Sequence, residues 1–347
     1  MQTRNRSLPV YCLRPAFFFL LLSFATLPAY GFFGKGVETI SRPNADKGPT
    51  PIESGIFVLD LNTVNTPGQS FSANVFLAFR WNDPRLAHGQ EGIISYPLDE
   101  VWHPMVQLYN RQNLWQVIEP AVEVTGDGTA SLKFWYWGNF SQPLELTDFP
   151  FDTQDFKIQV ISVGFNPEEI EFVPSSRFNS GMSENLSVAD WHNFEAELVA
   201  ETIKPLPDGP EVVSVTLNFT GERLTGYYWV KVILPLILVV LLSWAVLWID
   251  PAMPGTQISM AITAMLTLIA YRFSIGATLP NLSYLTRLDY FVLTSTILVF
   301  ATLVEVVFTS TIARLGQVER ARKIDRVARV AFPVLLLGFL LHALVLV

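Results

Sequence analysis

Cysteine is nearly absent: 347 residues contain only Cys12. A chain whose only thiol lies so near its start forms no internal disulfide and builds no thiolate metal site or thiol nucleophile downstream. Histidine is scarce too. His88, His103, His192 and His342 are scattered, without metal-ligand spacing, and neither a G-x-S-x-G elbow nor a phosphate-binding glycine loop occurs. These absences argue against an enzyme, a metal site and a cofactor. Positive charge is sparse in the first two thirds, where residues 32–226 carry 11 Lys/Arg against 26 Asp/Glu, a surplus of 15 negative charges. A nucleic-acid footprint is therefore missing. Such a surplus is either a solvated acidic surface or a field that concentrates cations. No internal repeat or low-complexity tract is present.

Hydrophobic residues make up 50% of the chain and charged ones 16%, and the apolar excess is uneven. Residues 1–29 read as an export signal: Arg4, Arg6 and Arg14 precede the short run Ala16 to Leu22, and Leu27-Pro28-Ala29 offers a cleavage site. Residues 30–226 read as an all-β domain of short alternating runs. The turn signals Thr66-Pro67-Gly68, Gly126-Asp127-Gly128 and Pro207-Asp208-Gly209 separate them. The clearest strand is Ser70 to Trp81, with Phe71, Ala73, Val75, Leu77, Phe79 and Trp81 on one face. Strands at this spacing predict a β-sandwich.

Residues 227–347 hold four apolar segments, 228–249, 257–275, 290–312 and 330–347, each near the ~20 residues that a membrane-spanning helix requires. Between the third and fourth lies a linker of about 17 residues carrying Arg314, Arg320, Arg322, Lys323, Arg326 and Arg329. Basic loops stay inside, so this linker is expected to be cytoplasmic, with the β-domain and the C-terminus outside. Pro235 in the first segment needs a neighbouring helix or water to satisfy the carbonyl it frees. Glu305 in the third is costly in lipid and implies pairing with a neighbouring group.

In the second segment Ser259, Thr263, Leu266, Ala270 and Phe273 are spaced 4, 3, 4 and 3, one helical stripe. Two readings stand at this point. The stripe is either a helix–helix seam, where small polar residues are common, or the lining of a pore closed by several subunits.

Several short motifs share one order with a known family. Trp81-Asn82-Asp83-Pro84-Arg85-Leu86, Trp102-His103-Pro104 and Phe149-Pro150-Phe151-Asp152-Thr153-Gln154 are followed by Arg223 just before the first span. Leu279-Pro280 then follows the second span, and Ala331-Phe332-Pro333 opens the fourth. Together they resemble the bacterial pentameric ligand-gated ion channels, prokaryotic homologues of the Cys-loop receptor family, without the flanking cysteines. The resemblance covers nearly the whole chain after residue 30. It implies an immunoglobulin-like sandwich of about ten strands followed by an all-α four-helix transmembrane domain. It further implies a homopentamer in a bacterial inner membrane, its β-domains periplasmic, opened by a small-molecule agonist to permeant inorganic ions.

By the same resemblance Ser259, Thr263, Leu266, Ala270 and Phe273 line the pore, and Arg223, Asp152, Phe151, Pro150 and Pro280 carry gating. Phe76, Trp102, Trp135, Trp137 and Phe165 are the ligand-binding candidates. The first hairpin, Val64-Asn65-Thr66-Pro67, has no carboxylate to extend the Arg223–Asp152 pair. Exposed aromatics suit either an amine cage or subunit packing. Val163 and Gln107 stand where an amine-gated relative has Phe and Glu. The acidic outer domain favours cation conduction, although Pro254-Gly255-Thr256-Gln257 supplies no acidic ring. A non-conducting receptor anchored by four helices is the alternative, and a secondary transporter lacks the inverted repeat it would need.

Overall fold

A computed structural model describes residues 39–276 and 282–342. The proposed signal segment with Cys12, and Pro280, lie outside the described residues. Twelve strands precede the helices. They are β1 (Thr50–Asn65), β2 (Ser70–Asn82), β3 (Ile93–Tyr96), β4 (Val106–Leu108), β5 (Arg111–Gln116), β6 (Val122–Thr125), β7 (Thr129–Ser141), β8 (Thr153–Ser162), β9 (Ile170–Pro174), β10 (Gly181–Met182), β11 (Trp191–Ile203) and β12 (Val212–Arg223). One sheet runs β10-β1-β2-β7-β6-β3, with β5 also on β7 and β9 also on β1, and the second runs β11-β12-β8-β4. The count exceeds the expected ten because short strands such as β10, two residues long, carry too few side chains to show a period.

Alternation places the core. Phe71, Ala73, Val75, Leu77, Phe79 and Trp81 are all buried, as the period of two in β2 demands. Phe71 stacks on Phe140 of β7 at 5.2 Å between ring centres and meets Phe156 of β8 and Phe219 of β12 edge-on at 5.4 and 5.6 Å. Four rings thus lock one sheet to the other, each such pair adding about 0.5–1.5 kcal/mol beyond its buried area. Gly138 in β7 (φ +153°) lies under the crossing of β5, where a Cβ would sit 2.0 Å from the Asn113 carbonyl oxygen. No larger residue fits there.

The helices are α1 (Gly226–Val246), α2 (Pro254–Gly276), α3 (Arg287–Arg314) and α4 (Val318–Leu341). Among the described residues, α1, α2 and α3 are long and apolar enough to cross a membrane. Residues Trp229–Ile233 of α1 form a π turn just before Pro235. The Tyr271 hydroxyl of α2 donates to the Val232 and Lys231 carbonyls at 2.6 and 3.3 Å, satisfying backbone that the proline leaves open. The capping box of Thr286 and Asp289 starts α3.

The linker before the fourth span differs from the expectation. It is only Leu315–Gln317, and α4 begins twelve residues before Val330. Gly316 (φ +81°) ends α3 in a left-handed turn, its N–H donating to Ala313 O at 3.1 Å while Gln317 N–H reaches Ile312 O at 3.2 Å. The basic residues from Arg320 to Arg329 therefore ride on the first turns of α4 rather than in a loop. Hydropathy marks where a helix becomes apolar, whereas Glu319 to Arg329 contains neither Gly nor Pro to stop a helix starting earlier.

Candidate functional site

Helix α2 carries two opposed stripes. Gln257, Ala261, Ala264, Leu268 and Ile275 are buried against α1 and α3 of the same subunit. The sequence-predicted set, Ser259, Thr263, Leu266, Ala270 and Phe273, is exposed along its whole length, with Leu266 62% and Phe273 80% accessible. The set is therefore not a seam within the subunit. Its hydroxyls run in one column: Thr263 Oγ1 donates to Ser259 O at 2.8 Å, which leaves hydroxyl lone pairs outward. Gln257, in the stretch that supplies no acidic ring, is fully buried and turned into the subunit.

A second arrangement joins the β-domain to the helices. The last residue of β12, Arg223, is buried with Asp152, which immediately precedes β8. The pair is bidentate: Nε to Oδ1 at 2.7 Å and Nη2 to Oδ2 at 3.0 Å, with Gln154 Nε2 donating to Oδ2 at 2.7 Å. Thr66 Oγ1 accepts from Arg223 Nη2 at 3.5 Å. The first hairpin, which has no carboxylate, thus still reaches the pair through a hydroxyl. The guanidinium also lies over Trp191 (4.3 Å) and Phe149 (5.0 Å), faces that attract a cation. Sequence reading missed Trp191, which lies 32 positions before Arg223 and meets it only because β11 and β12 pair Trp191 with Arg223.

The loop around Phe149 is held on both sides. Phe149 meets Tyr228 edge-on at 5.0 Å and Phe151 meets Trp229 at 5.9 Å, both on the first turns of α1. Pro150 is buried beside them. Backbone bonds tie the same loop to the start of α3: Arg287 N–H to Thr147 O at 3.0 Å and Leu288 N–H to Phe149 O at 3.2 Å. Arg287 also pairs with Asp148 at 2.8 Å. The loop is therefore tied to α1 and α3 together.

The aromatic candidates fall into two groups. Phe76, Trp135 and Trp137 share the outer face of β2 and β7, where Phe76 lies opposite Trp135 and Asn74 opposite Trp137. Phe76 packs on Phe178 at 5.7 Å, Trp135 donates its indole N–H to Asn74 Oδ1, and Trp137 stacks on Trp115 at 5.1 Å. Trp115, 60% accessible, escaped the sequence reading because β5 has no alternation to mark its outward face. Trp102 and Phe165 form the other group, 5.5 Å apart. Trp102 is a core residue, 3% accessible and edge-on to Trp81, so Phe165 alone of that pair presents a partly open ring. One subunit does not bring the two groups together. His103, next to Trp102, is held below its ordinary pKa by burial.

Two family patterns match the chain. Residues 35–224 match the neurotransmitter-gated ion-channel ligand binding domain, and residues 232–317 match the neurotransmitter-gated ion-channel transmembrane region. The first ends one residue after Arg223, and the second spans most of α1 with α2 and α3, so the buried Arg223–Asp152 pair sits where the two meet. This chain belongs to the neurotransmitter-gated ion-channel family, as a ligand-gated channel subunit with a β-sandwich ligand-binding domain and a helical transmembrane region.

Proposed function

We propose that five copies of the chain surround an axial pore lined by α2, with Ser259 and Thr263 toward its inner end and Leu266 and Phe273 as apolar constrictions. The observation that carries this is the division of α2: Ala261, Ala264 and Leu268 are buried in the subunit while Leu266 and Phe273 point away from it. Exposed apolar surface of this kind needs a partner or a dewetted path. The pore conducts cations, a reading supported by the surplus of 15 negative charges in residues 32–226, which concentrates counter-ions above the entrance. The β-domain is periplasmic and the membrane is a bacterial inner membrane. Support comes from the Lys/Arg-rich opening of α4, at the bundle end opposite the sandwich, and from the arginines that precede the first apolar run.

Agonist binds between neighbouring β-domains, with Phe76, Trp135 and Trp137 of one subunit facing the Phe165 side of the next. Binding displaces the Leu146–Phe151 loop, and the displacement travels through Arg223–Asp152 to α1 and through Arg287 and Leu288 to α3. These helices carry α2 outward.

The test is current across bilayers or oocyte membranes carrying the wild type or Leu266→Ser. A polar ring at the constriction eases wetting, so the variant is expected to leak without agonist. The reversal potential in a salt gradient gives the ion sign. An assembled but silent Leu266→Ser pentamer would overturn the pore lining and favour the non-conducting receptor.

A further inference from the structure

Two acidic side chains meet inside the helix bundle, near its end farthest from the sandwich. Glu305 of α3 has both carboxyl oxygens buried without a hydrogen-bond donor, and Asp325 of α4, 0% accessible, has one oxygen in the same state. The helices that carry them, α3 and α4, pack directly on one another, with these oxygens enclosed. Among the described residues the donor to the pair is Gln257 of α2, whose Nε2 is 3.4 Å from Asp325 Oδ2 and equally far from Ile249 O. Gln257 Oε1 is itself occupied by Ser310 Oγ at 3.3 Å.

Charges around the cluster do not settle it. Helix α1 has no charged side chain between Leu234 and Val246, and Asp250 beyond it is paired with Arg322 at 2.8 Å. On α2 the facing group is the neutral Gln257. Arg329 of α4 is one turn from Asp325, but its Nε donates to Leu247 O at 2.9 Å and its guanidinium covers the Trp248 ring at 4.8 Å. Two ionised carboxylates would thus face each other with three oxygens unbonded, an arrangement in which like charges cannot both persist. A hard metal ion would relieve it only with six or more oxygen ligands for calcium, or near-octahedral geometry for magnesium. Here the free donors are the carboxylates alone, since the Gln257 oxygen is taken.

We propose that Glu305 and Asp325 form a proton-binding site in each subunit, holding one resident proton between them at neutral pH. The proton converts two facing acceptors into an O–H···O bond and leaves one negative charge in the field of Arg329. It ties α3 to α4 beside Gln257, at the foot of the helix that carries the pore stripe. The proton does not depend on the channel reading, and its test uses no current.

The experiment is infrared spectroscopy of the assembled full-length protein in nanodiscs at pH 7. The preparations are wild type, wild type with carbon-13 aspartate or glutamate, Glu305→Gln and Asp325→Asn. The expected result is a protonated-carboxyl stretch in the wild type that moves with at least one label and is lost in each variant. The remaining carboxylate then faces an amide donor instead of a like charge, and ionises. Should one variant fail to assemble, the other decides, since loss of either carboxyl removes the shared proton. A wild type with no such band overturns the site, as does a band unmoved by both labels or kept in both variants. A band that appears only after a chelator shows a metal in the proton's place and overturns it equally.

Discussion

Replacing Asp152 by Asn isolates the charge at the junction, because the side chain keeps its shape. Its amide nitrogen must replace one of two oxygens. At Oδ1 it would face Arg223 Nε (2.7 Å), and at Oδ2 it would face Nη2 (3.0 Å) and Gln154 Nε2 (2.7 Å). Either rotamer sets donor against donor, and the guanidinium loses its countercharge while still buried. The faces of Trp191 and Phe149 offer no rescue, since they already act in the wild type. Breaking a buried pair in this way costs about 3–5 kcal/mol. At roughly 2–4 °C per kcal/mol for a domain of 150–250 residues, the unfolding midpoint of the sandwich should fall by about 6–20 °C.

A double-mutant cycle sharpens the claim. Arg223→Gln strands the carboxylate, whereas Asp152→Asn with Arg223→Gln leaves two neutral amides, so the double variant should lose about 2–3 kcal/mol less than the two singles together. The assay is oligomer survival after heating, followed by size-exclusion chromatography in detergent. Single shifts that add to within about 0.5 kcal/mol, or a fall under about 2 °C for Asp152→Asn, would refute the coupling.

Tyr271→Phe removes the donor to the Val232 and Lys231 carbonyls at 2.6 and 3.3 Å and should cost about 0.5–1.5 kcal/mol as a lost hydrogen bond, read as a lower midpoint in the same heating assay. Ala264→Leu overpacks the buried stripe of α2 and should cost about 1–3 kcal/mol, whereas Leu266→Ala, on the exposed stripe, should leave the heating midpoint within about 0.5 kcal/mol of wild type. Asp127, bonded by the Thr125 hydroxyl and by the Thr129 N–H and hydroxyl, has its pKa lowered from 3.8 to about 2. A depressed carboxyl stabilises above its unfolded pKa and stops doing so as pH falls through its folded one. The stability gap between wild type and Asp127→Asn should thus be full at pH 5 and close between pH 3.8 and about 2, as followed by acid unfolding.

What the sequence made legible follows a physical line. Strand β2 was readable because alternation over its length reports burial directly, and the exposed stripe of α2 because helical spacing survives without neighbours, although spacing alone did not separate a seam from a pore lining. Arg223 and Asp152 were readable only through motif order, since they are 71 positions apart and no local pattern joins them. Thr66, Trp191 and Phe178 enter their sites by tertiary contact alone. Asp325 is the plainest case. In sequence it lies among Arg322, Lys323 and Arg326, a stretch that reads as a solvated helix face, yet it is the one acid there turned fully inward. Only the packing of α4 on α3, beside Gln257 of α2, exposes the cost of that placement.

The two stripes of α2 bear on how the fold and the function constrain one another. A helix stabilising a lone subunit would bury Leu266 and Phe273 and expose Ala261 and Ala264; this one does the reverse. Small buried residues bring α2 close to α1 and α3, which van der Waals packing rewards in a membrane where no hydrophobic force drives helices together. The large residues left outside gain nothing from their own subunit. On the proposed pore reading their role lies in the path that the copies enclose, so the same substitution has different consequences on the two faces. At Ala264 added bulk disturbs the subunit, and at Leu266 lost apolarity disturbs only what the subunits enclose. On the proposed pore reading, stability and gating are carried by different residues of one helix, and Tyr271, on the buried side, bonds that helix to the π turn of α1.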